Sequence, residues 1–154
     1  WASGDLAGDD TDGHIDQLAR FVAPGCVVAA RQPDRSDPNH KPLEANFDLL
    51  REFKDARGRM LDVVPINLPP SIRFGDVQLP ASYLNFFILN GGVIVPTFDH
   101  DLDSDAIATI QKFFPHREIV PFSALELIRG RGAVHCVTSQ QPAIECLGDE
   151  CMLA

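Results

Sequence analysis

The sequence predicts an α/β fold built from repeated units, each a β-hairpin followed by a helix and a returning strand. Two observations predict it. The apolar pattern switches from strand-like runs to three- and four-residue spacing and back, in the same order, twice along the chain. A turn signal, Pro24-Gly25 in the first unit and Asn90-Gly91-Gly92 in the second, falls at the corresponding point of each.

In the first unit, Phe21 to Ala30 reads as two short apolar strands broken at Pro24-Gly25. Gln32 to Pro42, rich in Asp, Pro and Asn, reads as a surface loop. A helix is expected from Pro42 to Arg57, where Leu43, Phe47, Leu50 and Phe53 share a face, Pro42 suits a first turn and Gly58 a stop. Met60 to Ile66 then returns as a strand.

The second unit follows the same plan. Tyr83 to Leu89 and Val93 to Pro96 flank Asn90-Gly91-Gly92, and Asn-Gly accepts the positive φ that tight hairpin turns demand. Asp103 or Ser104 is expected to cap a helix carrying Ile107, Ile110, Phe113 and Phe114 and ending at Pro115. Glu118 to Phe122 is again strand-like. Beyond a short helical stretch from Ala124 to Ile128, Gly132 to Thr138 reads as the start of a third unit, so two complete units and a stub imply missing companions.

At 154 residues with 45% hydrophobic content, the chain suffices for one domain with a real core. A formal net charge of −9 disfavours nucleic acid and anionic membranes and favours a neutral or cationic partner. No apolar run approaches the roughly 20 residues that cross a bilayer, and no secretory signal pattern opens the chain, so a soluble cytoplasmic protein is expected. Cys26, Cys136, Cys146 and Cys151 are too few and too unevenly spaced for a disulfide scaffold or a zinc finger. Reduced thiols and no bound metal are the expectation. The opening Trp1, set almost directly against a dense motif, suggests a piece of a longer protein.

The densest motif is Asp9-Asp10-Thr11-Asp12-Gly13-His14-Ile15-Asp16, four carboxylates around one imidazole. It lacks the ligand spacing and terminal Glu of an EF-hand. His14 and Cys136 stand at the starts of equivalent repeats, and in a radial fold such starts converge on one axis. A thiolate beside an imidazole is a nucleophile at neutral pH, and a carboxylate orients the imidazole; Asp16, two residues from His14 along an extended strand, would point to the same side. Taken singly, Cys136 is equally a small buried hydrophobe, His14 a surface residue and Asn85 a strand-edge side chain satisfying backbone groups.

Together, GDDTDGHIDQLARFVAPG, LPASYLNFFILNGGVIVPTF, FFPHREIV and GRGAVHCVTSQQP resemble the agmatine deiminases of the Porphyromonas-type peptidylarginine deiminase family, within the guanidine-modifying superfamily. The likeness runs from Gly8 to Pro142. It implies a five-bladed α/β propeller (pentein) of ββαβ units, of which residues 1–154 are the C-terminal part of a single catalytic domain, with residues 143–154 a tail. It also implies hydrolysis of agmatine to N-carbamoylputrescine and ammonia, a step in polyamine biosynthesis, with no metal or organic cofactor and a homodimer as the full-length protein. In that likeness Cys136 is the nucleophile, His14 the acid and then the base, and Asp16 the clamp on the guanidinium. Asp10 belongs to the same acidic wall, and Asn85 lines the pocket. The acidic crowding then has a reason: a guanidinium offers its N–H groups in a flat fork that carboxylates accept in pairs.

Two features depart from the family's pattern. Gly130-Arg131-Gly132-Ala133 carries Arg and Ala where the family commonly has glycine, a strain at Arg131 if that backbone needs positive φ, and a cation that either favours the thiolate or repels the substrate. The family's N-terminal portion, with a second guanidinium-binding Asp and an aromatic wall, has no counterpart here, so this chain by itself is expected to be inactive or feebly active. The alternatives are a deiminase of free or peptidyl arginine and a non-catalytic propeller remnant.

Overall fold

The computed structural model describes residues 6–9 and 14–141. Asp10, Asp12, Trp1 and the tail cysteines Cys146 and Cys151 lie outside the described residues. A helical turn, α1 (Ile15–Leu18), leads into β1 (Ala19–Ala23) and β2 (Cys26–Arg31), then α2 (His40–Glu52) and β3 (Asp62–Asn67). A small hairpin of β4 (Ile72–Phe74) and β5 (Val77–Leu79) follows, then β6 (Phe87–Ile88), β7 (Gly92–Thr97), α3 (Leu102–Phe113) and β8 (Glu118–Ser123). Two 3₁₀ turns close the described chain, at Leu127–Gly130 and His135–Val137.

The two sheets repeat one topology. β1 pairs antiparallel with β2 and β2 parallel with β3; β6 pairs antiparallel with β7 and β7 parallel with β8. Each is therefore a ββαβ unit, the helix supplying the crossover that a parallel pair requires. The likeness extends to sequence. Asp-Val-Val-Pro-Ile-Asn in β3 and Glu-Ile-Val-Pro-Phe-Ser in β8 set Pro65 opposite Ala29 and Pro121 opposite Val95. Both prolines lie on an edge strand, where a missing N–H is tolerated. Bonds just past the strands match too: the Leu68 N–H donates to the Arg31 carbonyl at 2.8 Å, and the Ala124 N–H to that of Thr97 at 2.9 Å.

The expected elements differ in their ends for local reasons. α2 stops at Glu52 instead of Arg57 because Asp55 captures a turn, accepting from the Arg57 and Arg59 backbone N–H groups and pairing with the Arg59 side chain. α3 starts a residue ahead of the expected caps, with Asp101 at the N-cap. The Asp103 carboxylate reaches upstream, to the backbone N–H groups of Phe98 and His100 and the hydroxyl of Tyr83. Between Gln32 and Pro42 the loop is not wholly superficial, since Gln32 and Asn39 are buried. The expected third-unit strand from Gly132 to Thr138 is a 3₁₀ turn, because its amides bond to Asn85 and not to a neighbouring strand. The β4–β5 hairpin was not anticipated, although Gly75, at φ 59, and Asp76 form a two-residue turn between alternating segments.

The core runs through both units, joining Val28, Leu43 and Ile66 to Leu84, Phe86, Val93 and Ile110. Tyr83 meets Phe98 edge-on at 5.3 Å and Phe86 meets Phe114 at 6.1 Å. The segment leading into the acidic loop is tied to this core: Leu6 is buried in it, and the Ala7 N–H donates to Asn39 Oδ1 at 2.7 Å. Gly8 sits at φ 92 with its Cα against the Gln78 carbonyl. Gly8→Ala places a methyl inside the contact distance of that oxygen and forces a side chain into a left-handed backbone. A loss of about 2 kcal/mol or more is expected, read as a lower urea midpoint with an unchanged m-value.

Candidate active site

The site assembles from three places in the chain. His14 immediately precedes α1, and Asp16 lies within it. The expected extended strand here is instead a helical turn, held by the Gln17 N–H donating to the His14 carbonyl at 3.0 Å. Asn85 lies within a buried, irregular stretch, Ser82 to Phe86, where a strand was expected; β6 begins only at Phe87. Cys136 rides on the 3₁₀ turn His135–Val137.

The irregular stretch survives burial because side chains satisfy its backbone. The Ser82 hydroxyl donates to the Gln17 carbonyl at 2.7 Å and accepts the Leu84 N–H at 3.2 Å. Arg20 donates to the carbonyls of Leu84 at 3.2 Å and Phe86 at 3.0 Å, the two neighbours of Asn85, while its guanidinium lies 4.7 Å from the Phe86 ring centroid. Burial pulls Arg20 below its usual range, with the charges of Asp16 and Cys136 opposing that shift. Arg20, which the sequence reading passed over, is thus a cation within electrostatic reach of Asp16 and Cys136.

Asn85 is fully buried and links the other groups. Its Nδ2 donates to Asp16 Oδ2 at 3.0 Å and to Cys136 Sγ at 3.2 Å. Its Oδ1 accepts the backbone N–H groups of His135 at 2.9 Å and Cys136 at 3.4 Å. The turn that carries the thiol is locked from the other side by the Thr138 hydroxyl, which donates to the carbonyls of Val134 and His135. Gly132 packs against Cys136 so closely that a Cβ would stand 2.7 Å from the Cys136 Cβ and 3.1 Å from Sγ.

His14 Nδ1 lies 3.9 Å from Cys136 Sγ, and Asp16 Oδ2 lies 3.8 Å from it. The donor atoms of all three lie within 4.8 Å of one another, with Cys136 exposed at the surface of the cluster. Residues 122 positions apart therefore meet, although Cys136 lies on a 3₁₀ turn and not on the expected strand. Three such donors also have the spacing of a metal-binding set. His135 was missed by the sequence reading: its Nδ1 is 2.6 Å from Asp16 Oδ2. Only its place beside the thiol could have drawn attention to it. Arg131 adopts φ 64, the left-handed backbone that its flanking glycines hinted at.

Two outcomes follow. Gly132→Ala is expected to displace the thiol and slow alkylation of Cys136 about 10²-fold with little change in unfolding midpoint, measured by mass spectrometry against a denaturation curve. Cys26 provides the contrast, since burial and the neighbouring Asp62 push its thiol up and leave less thiolate at neutral pH. Iodoacetamide at pH 7 is therefore expected to modify Cys136 before Cys26, with Cys26 catching up as the pH rises.

A family model of the Porphyromonas-type peptidyl-arginine deiminases matches residues 1–142. A provisionally named agmatine deiminase of Legionella pneumophila is 39% identical over 150 residues, covering 97% of this chain and 43% of its own. Among solved structures, a provisionally named arginine deiminase of Porphyromonas gingivalis superposes with a TM-score of 0.87 at 43% identity, over 90% of this chain and 41% of that one. The agmatine deiminase of Enterococcus faecalis superposes with a TM-score of 0.86 at 31% identity, over 92% and 44%. The chain spans less than half the length of each relative.

Proposed function

This chain belongs to the Porphyromonas-type peptidyl-arginine deiminase family, and from that membership we propose that it forms the nucleophile-bearing part of an enzyme that hydrolyses agmatine to N-carbamoylputrescine and ammonia. The observation that carries the reading is the meeting of Cys136, His14 and Asp16, with functional atoms within 4.8 Å of one another. The Cys136 thiolate attacks the guanidinium carbon, forming a C–S bond. His14 protonates the departing nitrogen, which leaves as ammonia. An amidino-thioether remains. His14 then takes a proton from water, whose oxygen attacks the same carbon, and the thiolate leaves as the ureido product forms.

Asp16 clamps the guanidinium, and Asp10 contributes to the same acidic wall. Asn85 acts from a buried position, fixing the carboxylate and the thiol relative to each other. His14 Nδ1 stands 3.9 Å from Sγ, longer than a good hydrogen bond, and a small closure around substrate brings the two into proton-transfer range. We place the two ββαβ units as neighbouring blades of a five-bladed propeller in the full-length protein. A groove of about 580 Å³ lined by Ile15, Phe21, Leu50, Phe53 and Leu61 supports this, as an apolar face of the kind a further blade covers. The placement in polyamine synthesis, in the cytoplasm, and the homodimer belong to the same reading.

Arginine is the second substrate class, favoured by the Porphyromonas gingivalis neighbour. It carries a carboxylate where agmatine has only an amine, and a net charge of −9 favours the more cationic of the two. Ammonia release by the full-length protein, compared on agmatine, free arginine and C-terminal arginine peptides, decides between them. Faster turnover of agmatine is expected; equal or slower turnover overturns the choice. Asp16→Asn is expected to lower kcat/KM at least about 10²-fold by removing the charge that holds the cation, and Cys136→Ser to abolish turnover. Treatment with a chelator is expected to leave ammonia release unchanged; its loss would favour a metal held by His14, Asp16 and Cys136.

A further inference from the structure

We propose that His135 is a positioning residue, whose Nδ1–H fixes one oxygen of Asp16 so that the other faces the substrate. The inference rests on the guanidine-hydrolase reading and adds to it a residue that touches neither the reacting carbon nor the leaving group.

The contacts that the described residues make to the Asp16 carboxylate converge on Oδ2: two nitrogen donors, His135 Nδ1 at 2.6 Å and Asn85 Nδ2 at 3.0 Å, with the Cys136 sulfur 3.8 Å away. Two donors on one oxygen stop the carboxylate turning about its terminal torsion, which is otherwise broad. No described residue donates to Oδ1, the oxygen that faces the N–H groups of a cation in this assignment. Asn85 is buried and cannot swing. His135 is held as well. Its backbone N–H donates to Asn85 Oδ1 at 2.9 Å, its ring lies 6.3 Å from that of Phe87, and its own turn carries Cys136. One residue thereby ties the orientation of the clamp to the position of the nucleophile, so that a guanidinium gripped by Asp16 presents its carbon to the thiol. The bond requires Nδ1 to carry a proton. In the neutral ring this is the Nδ1–H tautomer, which stabilises the carboxylate by hydrogen bonding and leaves its charge for the substrate.

The test uses three variants of the full-length protein. His135→Asn keeps an N–H one bond from Cγ, where Nδ1 stands; His135→Gln carries the amide one methylene farther; His135→Ala removes it. The readouts are agmatine kinetics and the rates at which Cys136 is alkylated by a haloacetamidine, which is cationic and needs the clamp, and by iodoacetamide, which is neutral and does not. His135→Ala and His135→Gln are expected to raise KM and lower kcat/KM about 10²-fold and to lose the preference for the amidine, with the iodoacetamide rate near wild type. His135→Asn is expected to recover most of both losses. If His135→Ala keeps the wild-type preference, or His135→Asn is as impaired as His135→Ala, the assignment is overturned. Should His135→Ala fail to fold, His135→Asn against His135→Gln gives the same decision, since both are amides and differ in reach. A wild-type protein with no amidine preference at Cys136 would overturn the guanidine reading itself, and the role of His135 with it.

Discussion

One buried amide constrains everything around it. Asn85 connects the carboxylate of Asp16, the sulfur of Cys136 and two consecutive backbone amides, and it does so from a position closed to water. A buried polar group left without a partner costs about 1–3 kcal/mol, so each group satisfied by Asn85 has a strong reason to stay where the amide puts it. Asn85 is in turn fixed by the carbonyls on either side, both held by Arg20. The clustered side chains are thus set by a polar network running from β1 through the Ser82–Phe86 stretch to the Cys136 turn. The apolar core surrounds that network without determining its geometry.

The two ββαβ units supply the frame. His14 and Asp16 precede the first unit, Asn85 leads into the second, and Cys136 follows it. Each functional segment is irregular or only a turn long, attached to regular elements whose register is fixed by six consecutive pairings in each parallel pair. Short irregular segments can aim side chains and backbone amides at a common point in a way that a pleated strand cannot. Rigid sheets then keep that point in place.

The β1–β2 and β6–β7 turns, both long helices and the crossover strands were legible because they follow a hydrophobic period or are marked by glycine or proline. Leu43 and Phe47 mark the buried face of α2, and Pro24-Gly25 and Asn90-Gly91-Gly92 mark the turns. What escaped prediction was decided by long-range contacts. Nothing local in Tyr83-Leu84-Asn85-Phe86 announces that Arg20 and Ser82 will satisfy its backbone, so its apolar run reads as a strand. Likewise Ala133-Val134-His135-Cys136-Val137 has strand composition, yet folds as a 3₁₀ turn because its partner is the Asn85 side chain. The clustering of His14, Asp16 and Cys136 was legible through the family motif and the repeat. His135 and Arg20 were not, because their parts depend on which atoms lie across the fold from them.

The paired prolines at the fourth position of β3 and β8 bear on how these edge strands meet another chain. An outer strand with a full row of free N–H groups is a template for another chain, and parallel strands form late enough to be exposed to that hazard. Pro65 and Pro121 each remove one N–H from an edge strand at its fourth position, so neither strand offers a complete ladder to a copy of itself. Placing the same interruption in both units guards them equally against intermolecular stacking.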